Sequence, residues 1–383
     1  MKVQPYTFAI SQEEIDALRV RVQQTNWPIA LEGAGWERSV PVPYLKNLAD
    51  YWINKYDWRK AEAEINQYDQ FIATVDDQPI HFFHIRSEQE GALPLLLLHG
   101  WPSSSVEYLK MIELLVHPQQ GEQAFHLVIP TLPGFGLSAP VQKTGWQSPR
   151  TAQTYADLME QLGYEQYGAH GTDIGADIVG ELGKAVGEKL IGAHYGSSTV
   201  TIVLSVGLFM GGGDPAQSQY FSEEQRERVK QIQGDAQKLM SYFTIQSNTP
   251  QTIGYSFNDS PVSLLATLTE QYKAGTKPTS EVPEKKIDID QMLTNISIYW
   301  FMGSGTSAAQ YIYENMHTDR DWSKQSMAPV GYAIFNAEPI ARPLLDPEHH
   351  IAHWSEFKEG EHFPAMEAPQ LLAKDLQKFF SSL

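Results

Sequence analysis

YGAHGTDIGADIVGELGKAVG, residues 167–187, is the stretch on which the fold turns. Its first residues, 167–170, read as a short strand, and the apolar periodicity after residue 175 reads as a helix. Between them lies Gly171-Thr172-Asp173-Ile174-Gly175. Small residues two places before and two places after a central side chain relieve the crowding of a sharp strand-to-helix elbow, the geometry that presents a nucleophile at the edge of a parallel sheet. Here the central residue is Asp173. A carboxylate displaces a leaving group from saturated carbon to give an alkyl ester, whereas a serine at this place is suited to acyl transfer. Epoxides and alkyl halides are the electrophiles that fit. The plain alternative is that Asp173 is a helix N-cap, a frequent use of aspartate after a strand.

Working outward, the same alternation recurs on both sides. LPLLLLHG (93–100) is a buried strand running into a glycine turn, a helix follows from about Ser105, and 125–129 is another strand before the loop PTLPGFGLSAP. A helix at about 151–162 leads into the elbow strand. Strand and helix in strict succession predict a mostly parallel sheet with crossover helices, an α/β fold whose first half ends near Tyr195. From 207 to 317 the pattern changes to glycine loops and helical stretches, which predicts a helical lid. Strand character returns in PVGYAIF (329–335) and HHIAHWSEF (349–357), and a final helix follows the loop KEGEHF. Before the core, Ser11 and Glu14 form a capping signature ahead of a helix at about 11–25, a second amphipathic segment covers 44–56, and 72–85 reads as two strands about an Asp-Asp turn. The expected organisation is a small, mostly helical N-terminal domain at 1–90, a core at 91–206 and 318–383, and the lid at 207–317.

The 383 residues suffice for such a core and its additions, with 42% hydrophobic and 19% charged residues as in ordinary globular proteins. A formal charge of −18 argues against nucleic acid or an anionic membrane as partner. With no cysteine, disulfides, thiolate catalysis and zinc-thiolate sites are excluded. The N-terminus lacks a signal-like apolar run and no stretch is long enough to span a bilayer, so a cytoplasmic protein without a membrane anchor is expected.

Partners for Asp173 can be placed by chain order. His99-Gly100-Trp101-Pro102 follows a buried strand, where the backbone amides of Trp101 and Ile174 could hold an oxyanion. His362 lies in the loop after the last strand, the place for a water-activating imidazole. Glu338, just beyond the strand at 332–335, is the expected acid that orients it, with Asp346 in reserve. Asp346, His349, His350 and His353 cluster in sequence, but read better as solvated surface than as a metal site. GGGDP (211–215) lacks the following Lys-Ser or Lys-Thr of a phosphate loop and reads as a hinge at the lid entrance.

With these residues in place, the sequence resembles the microsomal-type epoxide hydrolases, an α/β-hydrolase group with a characteristic N-terminal domain. The resemblance runs through YWINKYDWRKAEAEINQYDQF (51–71), HFFHI, LLLLHGWPSS, LVIPTLPGFGLS, the GTDIG elbow, FNDSP (257–261) and GEHFPAMEAP. It implies Asp173 as nucleophile, His362 as the base for water, Glu338 (in FNAE) as the acid, and Tyr242 (in SYFTIQ) as a lid tyrosine that protonates the opening epoxide oxygen. A phenol with an ordinary pKa near 10 is a reasonable proton source for an alkoxide. It implies a vicinal diol made from a small apolar epoxide and water through an aspartyl ester, with neither cofactor nor metal, and leaves a homodimer open. Three departures stand out. Ile174 replaces the usual tryptophan, the membrane-anchoring helix of animal members is absent, and in YWFMGSGTSAAQYIYEN (299–315) the second lid tyrosine falls on Ile312, flanked by Tyr311 and Tyr313. A one-residue shift would bring one of those two into the role. A haloalkane dehalogenase shares the aspartate, histidine and acid but not the lid tyrosines, and a catalytically silent ligand-binding protein would not need Asp173 and His362 intact.

Overall fold

A computed structural model describes the chain apart from residues 209–213, 277–279, 321–323 and 325, and the side chains of 207, 208 and 236–239. The expected hinge at 211–215 has Gly211, Gly212 and Gly213 outside the described residues.

Strand β1 (Lys2–Tyr6) opens the chain, followed by helices α1 (Gln12–Gln23), α2 (Val42–Asn54) and α3 (Trp58–Ile65) and the hairpin β2 (Gln70–Val75) and β3 (Gln78–Ile85). Ser11 and Glu14 form the reciprocal capping box at α1. Asp76 and Asp77 turn the hairpin at φ of 50° and 70°, the left-handed pair that matches strand twist. The core continues as β4 (Leu93–Leu98), α4 (Leu109–Val116), β5 (Phe125–Pro130), α5 (Ser148–Gln161), β6 (Tyr167–Gly171), α6 (Ile174–Val186) and β7 (Leu190–Ser198). Helices α7 (Thr199–Leu208), α8 (Glu223–Leu239), α9 (Ser241–Asn248), α10 (Pro250–Asp259), α11 (Pro261–Ala274), α12 (Ile289–Phe301) and α13 (Ser304–Met316) form the helical region. It starts directly from β7, a few residues before the expected 207. The chain returns through β8 (Val330–Phe335), α14 (Ala341–Leu345), β9 (His353–Glu356), α15 (Pro364–Glu367) and α16 (Pro369–Phe380).

All nine strands join one sheet in the order β1-β2-β3-β5-β4-β6-β7-β8-β9. From β5 to β9 every pairing is parallel, and the β1–β3 end is antiparallel. Strand order reverses at β4, which has β5 on one side and β6 on the other. At such a switch point the loops leave the sheet in opposite directions and open a crevice beyond the strand ends. The loop after β4 and the elbow after β6 both empty into it.

The N-terminal segment is less separate than its composition suggests. Strand β3 pairs with β5, so β1–β3 extend the core sheet rather than forming a helical domain apart. Its helices grip the lid. The Trp52 indole donates to Ser297 Oγ (2.8 Å), the Tyr51 hydroxyl donates to Asp290 (2.9 Å), and the Tyr56 hydroxyl meets Thr294 Oγ1 (2.8 Å), all on α12. Among the described residues, no helix is long and apolar enough to cross a membrane.

Candidate active site

The elbow explains itself atom by atom. A Cβ on Gly175 would come within 2.1 Å of the Leu98 carbonyl oxygen, and one on Gly171 within 2.3 Å of the Gly175 backbone, so neither place admits a side chain. Between them Asp173 sits at φ 51°, ψ −123°, a strained conformation for a residue with a Cβ. Although Asp173 precedes α6, its side chain makes no capping hydrogen bond. The carboxylate is turned out of the helix and into the crevice.

Two elements receive it. A Cβ on Gly100 would lie 2.3 Å from Asp173 Cβ, so the loop after β4 needs glycine there to let the carboxylate rest against its backbone. The Trp101 amide then donates to Asp173 Oδ1 at 2.9 Å. Ile174 opens α6, and the amides of a helix's first turn have no partner within the helix. On the other side His362 Nε2 stands 3.5 Å from Asp173 Oδ2. One carboxylate oxygen is held by an amide and the other faces an imidazole.

Above the carboxylate, the Tyr242 ring stacks on the Trp101 ring with centroids 4.5 Å apart and planes 13° from parallel. Burial, and next the negative charge of Asp173, push the Tyr242 phenol above its ordinary pKa, so it keeps its proton at neutral pH. Two cavity lobes, of about 170 and 360 Å³, meet at Trp101, Asp173, Thr201 and Tyr242. The smaller contains His362, and the larger is lined by aliphatic side chains such as Ile174, Ile202, Val206 and Ile312 together with aromatic and polar ones.

Other expected residues lie elsewhere. The Glu338 carboxylate is held by Arg228 of α8 in a two-pronged pair (2.6 and 2.7 Å), while the His362 Nδ1 atom meets Thr201 Oγ1 at 3.0 Å. Asp346 accepts the backbone amides of His350 (2.6 Å) and Ile351 (3.2 Å), which makes it the cap of its own turn. His353 bonds Asp375 at 2.9 Å, which draws it away from the sequence cluster, and no group of His, Asp or Glu among the described residues is arranged to hold a metal. On α13 it is Ile312, not either flanking tyrosine, that faces the cavity. Ile312 lines the larger lobe, Tyr311 is buried with its hydroxyl 3.0 Å from Thr151 Oγ1, and Tyr313 stacks on His317. Neighbouring helix positions point about 100° apart, and here the flanking tyrosines are turned to Thr151 and to His317.

Sequence reading passed over Thr201 and Glu107. Thr201 sits in the apolar run STVTIV (198–203), which carries no chemical signal. Glu107 lies under the elbow, fully enclosed, with the Thr172 hydroxyl donating to it at 3.5 Å. A glutamate inside the otherwise small and apolar PSSSVEY (102–108) was the available cue. Burial pushes its carboxyl up to about 8. In the unfolded chain this carboxyl ionises near 4.3, so folding loses stability as pH rises from there to about 8 and no more above it. Glu107→Gln is therefore expected to stabilise the protein at pH 9 relative to wild type by on the order of 2 kcal/mol, and to do so little at pH 4. Denaturant midpoints at the two pH values check it, and equal shifts at both would mean that Glu107 is not neutral in the fold.

Comparison with known proteins adds three observations. Residues 3–108 match the family model described as epoxide hydrolase N terminus. A Stigmatella aurantiaca protein, provisionally named an epoxide hydrolase, is 34% identical over 100% of the chain and 85% of its own length, and epoxide hydrolase 1 of Sus scrofa is 30% identical over 100% and 89%. The crystal structure of juvenile hormone epoxide hydrolase from the silkworm Bombyx mori superposes with a TM-score of 0.86 at 26% identity, covering 100% of this chain and 94% of that one.

Proposed function

Since the chain belongs to the epoxide hydrolase family, we propose that it opens a small apolar epoxide to a vicinal diol through a covalent ester on Asp173. The observation that carries this reading is the division of the Asp173 carboxylate: Oδ1 accepts the Trp101 amide and Oδ2 faces His362. Oδ2 attacks the less hindered epoxide carbon from the face opposite the ring oxygen, and that carbon–oxygen bond breaks. The Tyr242 hydroxyl gives its proton to the departing alkoxide. A hydroxyalkyl ester results, with Oδ1 as its carbonyl oxygen.

Hydrolysis uses the same atoms in new roles. His362 takes a proton from water, the hydroxide attacks Cγ, and the negative charge develops on Oδ1. There the Trp101 amide already donates, and the unused Ile174 amide is its natural second donor. Collapse releases the diol oxygen, protonated by the imidazolium, and the proton left on the new Asp173 carboxyl group returns to the Tyr242 phenolate, which restores both residues. None of these steps calls for a metal or organic cofactor. A single turnover in oxygen-18 water tests the reading: the first diol should carry unlabelled oxygen from Asp173, with the label left on the carboxylate. Label found directly in that diol would rule out the ester.

We keep Glu338 as the acid that stabilises the imidazolium. It stands just beyond β8, its amide donating to Thr199 Oγ1 (2.9 Å) two residues from Thr201, but its carboxylate must leave Arg228 to act. Glu338→Gln should then slow ester hydrolysis at least tenfold more than ester formation, and Arg228→Gln should not. If Thr201→Val gives the hydrolysis defect and Glu338→Gln does not, the threonine alone orients the ring.

A further inference from the structure

The larger lobe, where apolar side chains are interspersed with Ser197, Thr201, Ser205 and tyrosine rings, carries an ion pair on its wall close to the nucleophile in sequence. Asp177 of α6 pairs through both carboxylate oxygens with the guanidinium of Arg320, the second contact being 2.8 Å. Asn315 of α13 completes the group: its Nδ2 donates to Asp177 Oδ2 at 3.1 Å, and its Oδ1 accepts from Arg320 (2.9 Å) and from the Ser148 amide (2.9 Å). All three residues line the same cavity as Asp173. A lobe built only to hold hydrocarbon would not keep an ion pair on its wall, because removing charge from water is costly unless something in the site uses the polarity.

Resting on the ester reading above, we infer that Asp177, Arg320 and Asn315 form a subsite for an uncharged hydrogen-bonding group, a carbonyl or a hydroxyl, carried on a short arm of the epoxide. Three features define the ligand. The guanidinium charge is already matched by Asp177, and the nearby Glu181 is matched by Lys184 (2.9 Å), so a further ion would have no counter-charge. An uncharged dipole meets no such obstacle. The Asn315 amide has two N–H groups and gives one to Asp177, which leaves a donor for a carbonyl, while the Asp177 oxygens can accept from a hydroxyl.

Position sets the length of the arm. Asp177 lies in the first turn of α6 with its amide donating to the Asp173 carbonyl oxygen (3.4 Å), so the two residues are about 6 Å apart along the axis. An arm of roughly four to six bonds covers that distance. Ile174, Ile202, Val206 and Ile312 line the same lobe, so an aliphatic arm has apolar wall to lie against. The substrate class is therefore an epoxide with an aliphatic arm ending in a ketone, ester or alcohol.

The test compares three terminal epoxides with arms of equal length, ending in a methyl ester, a methyl group or a carboxylate, alongside a styrene-type epoxide as the reference. The ester should exceed the alkyl compound in kcat/KM by about fivefold to tenfold, the scale of one net hydrogen bond, and the carboxylate should be the poorest. In Asn315→Leu the ester-to-alkyl ratio should fall towards one. An ester-to-alkyl ratio near one in the wild type, a preference for the carboxylate, or an unchanged ratio in Asn315→Leu would each overturn the subsite, and because the first two need no variant they hold even if Asn315→Leu fails to fold. Failure of the wild type to turn over the styrene-type epoxide would instead remove the hydrolase reading on which the inference stands.

Discussion

His362→Gln is expected to become alkylated and then to stop: mixed with an epoxide, its intact mass should rise by one substrate mass and remain there. The reason lies in the two-stage chemistry. In the proposed mechanism ring opening uses Asp173 and Tyr242, whereas only ester hydrolysis needs a base for water, and His362 is the imidazole that faces the second carboxylate oxygen. General-base catalysis contributes about 10²–10⁴ in rate, so steady turnover should fall by that factor while the burst of alkylation persists. Normal steady turnover in this variant would assign the base elsewhere. Loss of alkylation as well would show that the imidazole is also needed to keep the carboxylate reactive.

Tyr242→Phe carries the second large effect, this time on the first stage. With Ile312 at the cavity and the hydroxyl of Tyr311 committed to Thr151, Tyr242 is the lid tyrosine placed over the nucleophile. Removing one well-placed donor to developing charge costs about 3 kcal/mol, on the order of a hundredfold, and more where no second donor shares the load. Alkylation measured before steady state should therefore fall more than a hundredfold in Tyr242→Phe, and much less in Tyr311→Phe or Tyr313→Phe. A Tyr313→Phe variant as impaired as Tyr242→Phe would mean that α13 turns when substrate binds.

The two effects separate what each part of the chain contributes. Trp101 links them, because its amide holds the carboxylate while its ring carries Tyr242. The lid is in turn held by the N-terminal helices through Trp52, Tyr51 and Tyr56, which ties that segment to α12. Composition alone left it without a role.

Local sequence carried a great deal of this. The elbow glycines, the capping box at Ser11 and Glu14, the Asp76-Asp77 turn and the strand-helix alternation are short-range patterns, each set by sterics or hydrogen bonds among residues a few places apart. From them the parallel sheet, the helical lid and the placement of Asp173, Trp101 and His362 could be read. Strand β1 and the attachment of β3 to β5 could not, because edge pairing depends on which distant strand is left uncovered.

Side-chain partners are the part that only tertiary structure decided. Chain order put Glu338 within reach of the His362 loop, but the side chain's direction follows from Arg228 on a helix 110 residues earlier, and the ring's partner proved to be Thr201. The same holds for α13, where two tyrosines flank a cavity-facing isoleucine: spacing names the candidates, and the rotation of the helix against its neighbours picks the one that faces inward. The position of Asp173 can be read from sequence because adjacent residues must bend the backbone around it. An orienting acid or a proton donor needs only to arrive at the right point in space, and any element of the fold can deliver it.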